Sequence, residues 1–308
     1  MGKIAFVFPG QGAQYPGMGK DLCDHLPSAA ASFAALDALR PGTSEQCFFG
    51  SEEELTETAN TQPCMFAVEW AAAKALRDAG VACDMTAGFS LGEIAALTYA
   101  GVVTAAEGFG IVTTRGQLMQ SAAEAVNSGM IAVLKLAPKT VEELCSHYDH
   151  VYPVNYNCPG QLVVAGLEEE LSLFAKEVKT AGGRGLPLKV KGAFHTPLME
   201  SAAASFAEVL AAYPMKAAEI PLYANYSGER YADAGTAYRE GLSKQISHAV
   251  RWQQCVESMI TAGADTFIEL GPKTTLCGLI KKINGDVRTL HVEDYKSFQE
   301  TLAEVKSC

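Results

Sequence analysis

Apolar and polar positions fall into blocks along this chain that predict strands and helices in turn. Ile4-Ala5-Phe6-Val7-Phe8 is a continuous apolar run of strand length. It leads into a Gly-rich loop, Pro9-Gly10-Gln11-Gly12-Ala13-Gln14. The spacing then predicts a helix around residues 61–79, a short strand over 84–89 and a helix from 91 to about 99. Over residues 105–123, Phe109, Val112, Gly116 and Met119 share one helical face. The alternation of strands and helices points to an α/β fold.

From about residue 130 the pattern changes. Strands are predicted over 130–136, 151–157, 161–166 and 186–190, with helices over 140–148 and 167–180. A Cys-Pro-Gly turn joins the middle two strands. The order is βαββαβ, that of a ferredoxin-like unit, so the chain reads as a larger α/β part with a smaller part inserted. No internal repeat or low-complexity tract interrupts it.

Composition narrows the class without naming a chemistry. The 308 residues are 48% hydrophobic and 19% charged, a globular balance. No apolar run reaches the ~18 residues of a membrane span, and the start lacks a secretory signal pattern, so a cytoplasmic, monomeric protein is expected. The nine cysteines are scattered, odd in number and without a CxxC pair, which predicts neither a disulfide framework nor a metal site. A net charge of −11 argues against nucleic acid as a ligand.

Four places can carry chemistry. Gly88-Phe89-Ser90-Leu91-Gly92 has the G-x-S-x-G pattern of a nucleophile elbow, in which a sharp strand-to-helix turn exposes the serine. By itself it also fits a serine at a Gly-rich helix entry. As an elbow, it would leave the Leu91 N–H free to meet an oxyanion. A serine nucleophile needs a base. His195, in Gly192-Ala193-Phe194-His195 at a strand-to-helix junction, fits that role and also fits a capping or core histidine. His248 is the rival base, and the other histidines read as solvent-exposed. Arg115 borders the apolar stripe of its helix and reads either as a solvated arginine or as a fork for a carboxylate. In the first loop, Gly10 and Gly12 let the Gln11 amide approach an oxyanion, while no phosphate-binding glycine pattern is present.

Together these segments resemble the malonyl-CoA:acyl carrier protein transacylases, the malonyl loaders of bacterial fatty acid synthesis. The likeness rests on Phe8-Pro9-Gly10-Gln11-Gly12-Ala13-Gln14, Thr61-Gln62-Pro63, the elbow with Glu93, Arg115, and the hairpin Asn155-Tyr156-Asn157-Cys158-Pro159-Gly160-Gln161. Gly192-Ala193-Phe194-His195 and Glu269-Leu270-Gly271-Pro272 complete it. It implies a large α/β-hydrolase-like subdomain over 1–125 and 194–308, with a ferredoxin-like subdomain inserted over 126–193. It also implies Ser90 as nucleophile, His195 as base, and Gln11 and Leu91 as oxyanion donors. Arg115, Gln62, Asn157 and Phe194 would bind substrate, and a main-chain carbonyl around Arg251 would orient the base. Malonyl-CoA would be the substrate and an acyl carrier protein the partner, with no metal and no permanently bound cofactor. A free-standing acyltransferase of a polyketide synthase shares these features, whereas a serine hydrolase would not need Arg115. The chain departs from the family at Phe89, where His is common, and at His248-Ala249, where Asn-Pro is frequent. Arg184, Lys189, Lys191, Lys273, Lys281 and Lys282 are the candidate basic patch for an acidic carrier protein.

Overall fold

A computed structural model of the chain describes residues 2–307; Cys308, whose role the sequence leaves open, lies outside them. Strands β1 (Lys3–Phe8) and β2 (Met85–Gly88) come first in the chain. β3 (Ser128–Leu134), β4 (Val151–Cys158), β5 (Gln161–Leu167) and β6 (Arg184–Pro187) follow, and then β7 (Leu222–Tyr223), β8 (Ala264–Leu270) and β9 (Arg288–Val292). They form two sheets. The larger has five strands in the order β7-β2-β1-β8-β9, all paired in parallel.

The apolar run of β1 lies at the centre of that sheet, where both faces are covered by helices. Such a strand has no polar face to alternate with. Phe6 and Phe8 point into one core with Phe66, Ile94 and Phe109; Ala5 and Val7 point into a second with Trp252, Val256 and Met259. The Ala105–Glu124 helix begins with a reciprocal capping box between Thr104 and Glu107. Its apolar face packs on the Thr58–Asp78 helix, and both bury most of their inner sides.

The smaller sheet is antiparallel, in the order β4-β5-β3-β6. Its helices, Pro138–Cys145 and Glu168–Thr180, close a separate core of Val133, Val141, Leu171, Phe174 and Val178. This is the ferredoxin-like arrangement that the βαββαβ order predicts. One element is displaced: the last strand runs from Arg184 to Pro187, not over 186–190. It is an edge strand paired only with β3; Pro187 turns its nitrogen to the open edge, where no N–H is needed, and beyond it the Leu188 N–H still bonds the Met130 carbonyl at 2.9 Å.

In both sheets the chain is helix-covered, and the polar residues of interest collect at one place. This is the carboxyl end of β1 and β2, where open parallel sheets leave a crevice for ligands.

Candidate active site

β2 ends at Gly88, and the chain turns sharply into the Gly92–Tyr99 helix. A Cβ on Gly88 would lie 1.9 Å from the Gly92 carbonyl carbon, and one on Gly92 would lie 2.3 Å from the Phe8 oxygen. The outer glycines of the elbow are therefore a steric requirement. Ser90, between them, adopts φ 53°, a left-handed conformation costly for a residue with a Cβ. Asn225 holds the turn in place: it accepts from the Ser90 N–H at 2.7 Å and donates to the Gly88 carbonyl at 2.6 Å. Strain of this kind persists where surrounding bonds over-determine it.

His195 also has a left-handed backbone, φ 65°, and is buried. Its Nε2 lies 2.9 Å from Ser90 Oγ. Its Nδ1–H donates to the Gln245 carbonyl at 2.6 Å, which leaves Nε2 as the acceptor facing the serine. The orienting carbonyl is thus that of Gln245 and not one around Arg251. The Gly235–Ser247 helix ends just beyond Gln245, and last-turn carbonyls have no intrahelical donor. Arg251 instead precedes the next helix, with its N–H on the Asn225 carbonyl and its exposed guanidinium near the Tyr156 ring. Burial, reinforced by the Arg115 charge, pushes the His195 pKa down to about 4 against the pull of the Gln245 carbonyl. The imidazole is therefore neutral at pH 7 and able to accept a proton.

Arg115 is completely buried, which rules out the solvated-arginine reading. Nη1 donates to Gln62 Oε1 at 2.9 Å; Nη2 donates to Gln245 Oε1 at 2.6 Å and to Ser90 Oγ at 3.1 Å. Nε has no partner among the described residues. Burial lowers its pKa to about 10, with Glu93 opposing the shift, so the group stays cationic at pH 7. A buried guanidinium with donors to spare, touching the serine oxygen, suits an acyl group that carries its own carboxylate.

Leu91 is the cap residue of the Gly92–Tyr99 helix, and Gln11 is tethered by its side chain to Thr58 Oγ1 at 3.2 Å. Among the described residues no hydrogen bond occupies the main-chain N–H of either. Phe194 is buried beside His195, and Asn157 is buried on β4 with no partner for its side-chain oxygen among the described residues. Phe89 packs edge-on against Trp252 at 5.6 Å, so the departure from His turns this wall apolar. His248 is not positioned as a rival base: it is exposed and hydrogen-bonds the Lys244 carbonyl through Nδ1. A cavity of about 280 Å³ reaches His195 past Tyr152, Pro197 and His248. The larger cleft, about 1150 Å³, runs past Glu57, Met130 and Lys189 and includes none of Ser90, His195 and Arg115.

Asn225, Gln245 and Tyr231 were not legible as site residues. Each reaches the elbow from more than 130 residues away, and Gln245 and Tyr231 both bind the buried Glu93. No local signal marks them: Gln245 lies in Ser243-Lys244-Gln245-Ile246-Ser247 and Tyr231 in Glu229-Arg230-Tyr231-Ala232-Asp233.

Residues 5–297 match the model of the acyl transferase domain family. The chain is 35% identical to malonyl CoA-acyl carrier protein transacylase of Bacillus subtilis, over 99% of this chain and 98% of that protein. Among solved structures, malonyl CoA-acyl carrier protein transacylase from Clostridium perfringens superposes with a TM-score of 0.95 at 36% identity, covering 99% of this chain and 98% of that one. A malonyl-transacylase solved in complex with a type II PKS acyl-carrier protein gives 0.95 at 33% identity, over 98% and 99%. With an elbow serine, a neutral buried histidine and a buried arginine meeting at one point, and with likeness over its full length, the chain belongs to the acyl transferase family of malonyl CoA-acyl carrier protein transacylases.

Proposed function

We propose that this chain moves a malonyl group from malonyl-CoA to the phosphopantetheine thiol of an acyl carrier protein, by way of a malonyl-Ser90 ester, in fatty acid biosynthesis. The observation that carries the reading is the serine oxygen held between His195 Nε2 at 2.9 Å and Arg115 Nη2 at 3.1 Å.

In the first half-reaction the malonyl carboxylate pairs with Arg115. Ser90 Oγ attacks the thioester carbon while His195 Nε2 takes its proton. The Leu91 and Gln11 N–H groups stabilise the tetrahedral oxyanion; loss of one such donor typically costs about 2.7–4 kcal/mol. As the carbon–sulfur bond breaks, His195 returns the proton to the CoA sulfur. The Gln245 carbonyl at the end of its helix favours the imidazolium formed in passing. The carrier thiol then enters and runs the same steps in reverse. Phe194 beside the base narrows the space for a branched acyl group. The reading calls on no metal and no bound cofactor, and it places a monomeric enzyme in the cytoplasm.

A second reading, the same chemistry serving a polyketide synthase, is favoured by the likeness to the transacylase solved with a type II PKS acyl-carrier protein. Mass spectrometry of the Ser90 peptide after incubation with malonyl-CoA tests what both share. The expected result is a malonyl adduct that discharges onto added acyl carrier protein. Rapid free malonate would instead mark a hydrolase, and no adduct would overturn acyl transfer. Turnover with fatty-acid and polyketide carrier proteins side by side separates the two pathways.

A further inference from the structure

The Gln245 side chain sits between two groups that need opposite ends of an amide. Its Oε1 accepts from Arg115 Nη2 at 2.6 Å. Its Nε2 donates to Glu93 Oε2 at 2.6 Å and to the Ser90 carbonyl at 2.9 Å. An amide can be turned over at little cost when its neighbours both donate and accept. Here they do not. Turned over, the NH2 would face guanidinium donors and the oxygen would face a carboxyl oxygen and a carbonyl.

Glu93 is the strongest acceptor in that set, and it is fixed in place. Its Oε1 accepts from Tyr231 Oη at 2.5 Å, and its Oε2 accepts from the Asn225 N–H at 3.2 Å as well as from Gln245. Because two N–H donors converge on Oε2, that oxygen is an acceptor whichever protonation state the carboxyl holds. Glu93 does not hydrogen-bond Arg115, Ser90 Oγ or His195. Among the described residues, Gln245 is the one side chain that bridges Glu93 to Arg115 by hydrogen bonds.

We infer that Glu93 is a positioning residue: by fixing the polarity of the Gln245 amide, it aims the Arg115 guanidinium at the carboxylate of a carboxyacyl thioester. This rests on the reading of Arg115 given above and deepens it. With Gln62 on Nη1 and Gln245 on Nη2, the guanidinium cannot rotate. Gln62 takes one of the two Nη1 hydrogens, so the other and the unpartnered Nε–H are left for carboxylate oxygens, with Nη2 beside Ser90 Oγ.

The test is the first half-reaction alone, with the rate of Ser90 acylation by malonyl-CoA and by acetyl-CoA measured by mass spectrometry. A loss of fold or of serine reactivity lowers both rates together, so the malonyl-to-acetyl ratio isolates the positioning of Arg115. Glu93→Leu, which removes the acceptor, is expected to lower that ratio at least tenfold. Glu93→Gln, which keeps an acceptor oxygen for Gln245, is expected to hold it within about threefold of the parent. In a Gln245→Leu background, which keeps the main-chain carbonyl on His195, adding Glu93→Leu should change the ratio no further.

An unchanged ratio in Glu93→Leu overturns the inference, as does a fall in Glu93→Gln as deep as that in Glu93→Leu. If Glu93→Leu does not fold, Glu93→Gln and Gln245→Leu decide it. The first must preserve the ratio and the second must lower it at least tenfold; any other pairing overturns the inference. Arg115→Ala serves as the control for the underlying reading. If that variant keeps the malonyl preference, the reading itself fails; if it loses the preference while the Glu93 variants keep it, only the inference fails.

Discussion

The strands on either side of β1 both end in a buried glutamate region, and the two ends are built to different purposes. Beyond β2, Glu93 is held by Tyr231, Gln245 and the Asn225 N–H. At the end of β8, Glu269 accepts from the Leu276 and Cys277 N–H groups at 3.0 and 2.7 Å, at the start of the Thr275–Ile283 helix. Near it, Glu69 is buried in the Thr58–Asp78 helix with no partner for either oxygen among the described residues. Burial raises all three pKa values: Glu93 and Glu269 to about 7, and Glu69 well above the usual carboxylate range, pushed further by Glu269. The shared shift says only that all three are dry. The donors distinguish them. Two of the three residues that hold Glu93, Gln245 and Asn225, also bond Ser90, whereas backbone N–H groups of a helix start hold Glu269. One end is bonded into the candidate site and the other into the scaffold.

The contrast can be broken most sharply at Arg115. Arg115→Ala should lower acylation by malonyl-CoA by about 10- to 150-fold relative to acetyl-CoA, the worth of a charge-assisted hydrogen bond of about 1.5–3 kcal/mol. The two acylation rates check this, and an unaltered ratio would sever Arg115 from the acyl carboxylate. At the scaffold end, Glu269→Leu should leave the acylation rate per folded molecule unaltered. It should cost about 1–3 kcal/mol of stability, because two helix-start N–H groups lose their acceptor. Chemical denaturation alongside active-site titration would show it.

The pH dependence sharpens the same division. His195, with its pKa held near 4, should keep Ser90 acylation flat as pH falls from 8 to about 5, with an acid midpoint near 4 rather than 6.5. At pH 5.5 that is up to about a tenfold advantage over an imidazole at its usual pKa. A midpoint at 6.5 would show an imidazole open to water. For stability, His195 and the glutamates act in opposite senses. The lowered pKa of His195 means its contribution is complete above 6.5 and is lost as pH falls toward 4. The raised pKa of Glu269 means its contribution is complete below the usual carboxylate value and is lost as pH rises through about 7.

The smallest effect is expected at Glu69. A buried carboxyl without partners gains the fold nothing electrostatically, so Glu69→Leu should shift stability by no more than about 1 kcal/mol, in the stabilising direction. It should also flatten the decline of Tm with rising pH. A loss greater than that would mean that Glu69 carries a bond like those of Glu93.

Several parts of this molecule were legible without a structure because their causes are local. The continuous apolar run of β1 required a strand covered on both faces, and the βαββαβ spacing required the second sheet. The two outer glycines of the elbow are demanded by contacts within four residues or with the adjacent strand end. The end of β6 was misplaced because an edge strand is defined by its single partner, and pairing is not written in its own residues.

At the elbow, the residue types restricted Ser90 to two roles, a nucleophile or a helix-entry serine, and left His195 similarly undecided. What pairs the two is one distance, 2.9 Å across 105 residues of sequence separation. The orienting carbonyl shows the same limit from the other side. Every residue has a carbonyl, so no residue type could mark Gln245, and only the place where the Gly235–Ser247 helix stops selects it. The sequence by itself determined the elements, the strained turn and the cast of reactive groups, because steric fit and hydrophobic spacing act over a few residues. Tertiary structure alone decided which donor meets which acceptor, because hydrogen bonds depend on ångström separations between segments that the chain brings together only when folded.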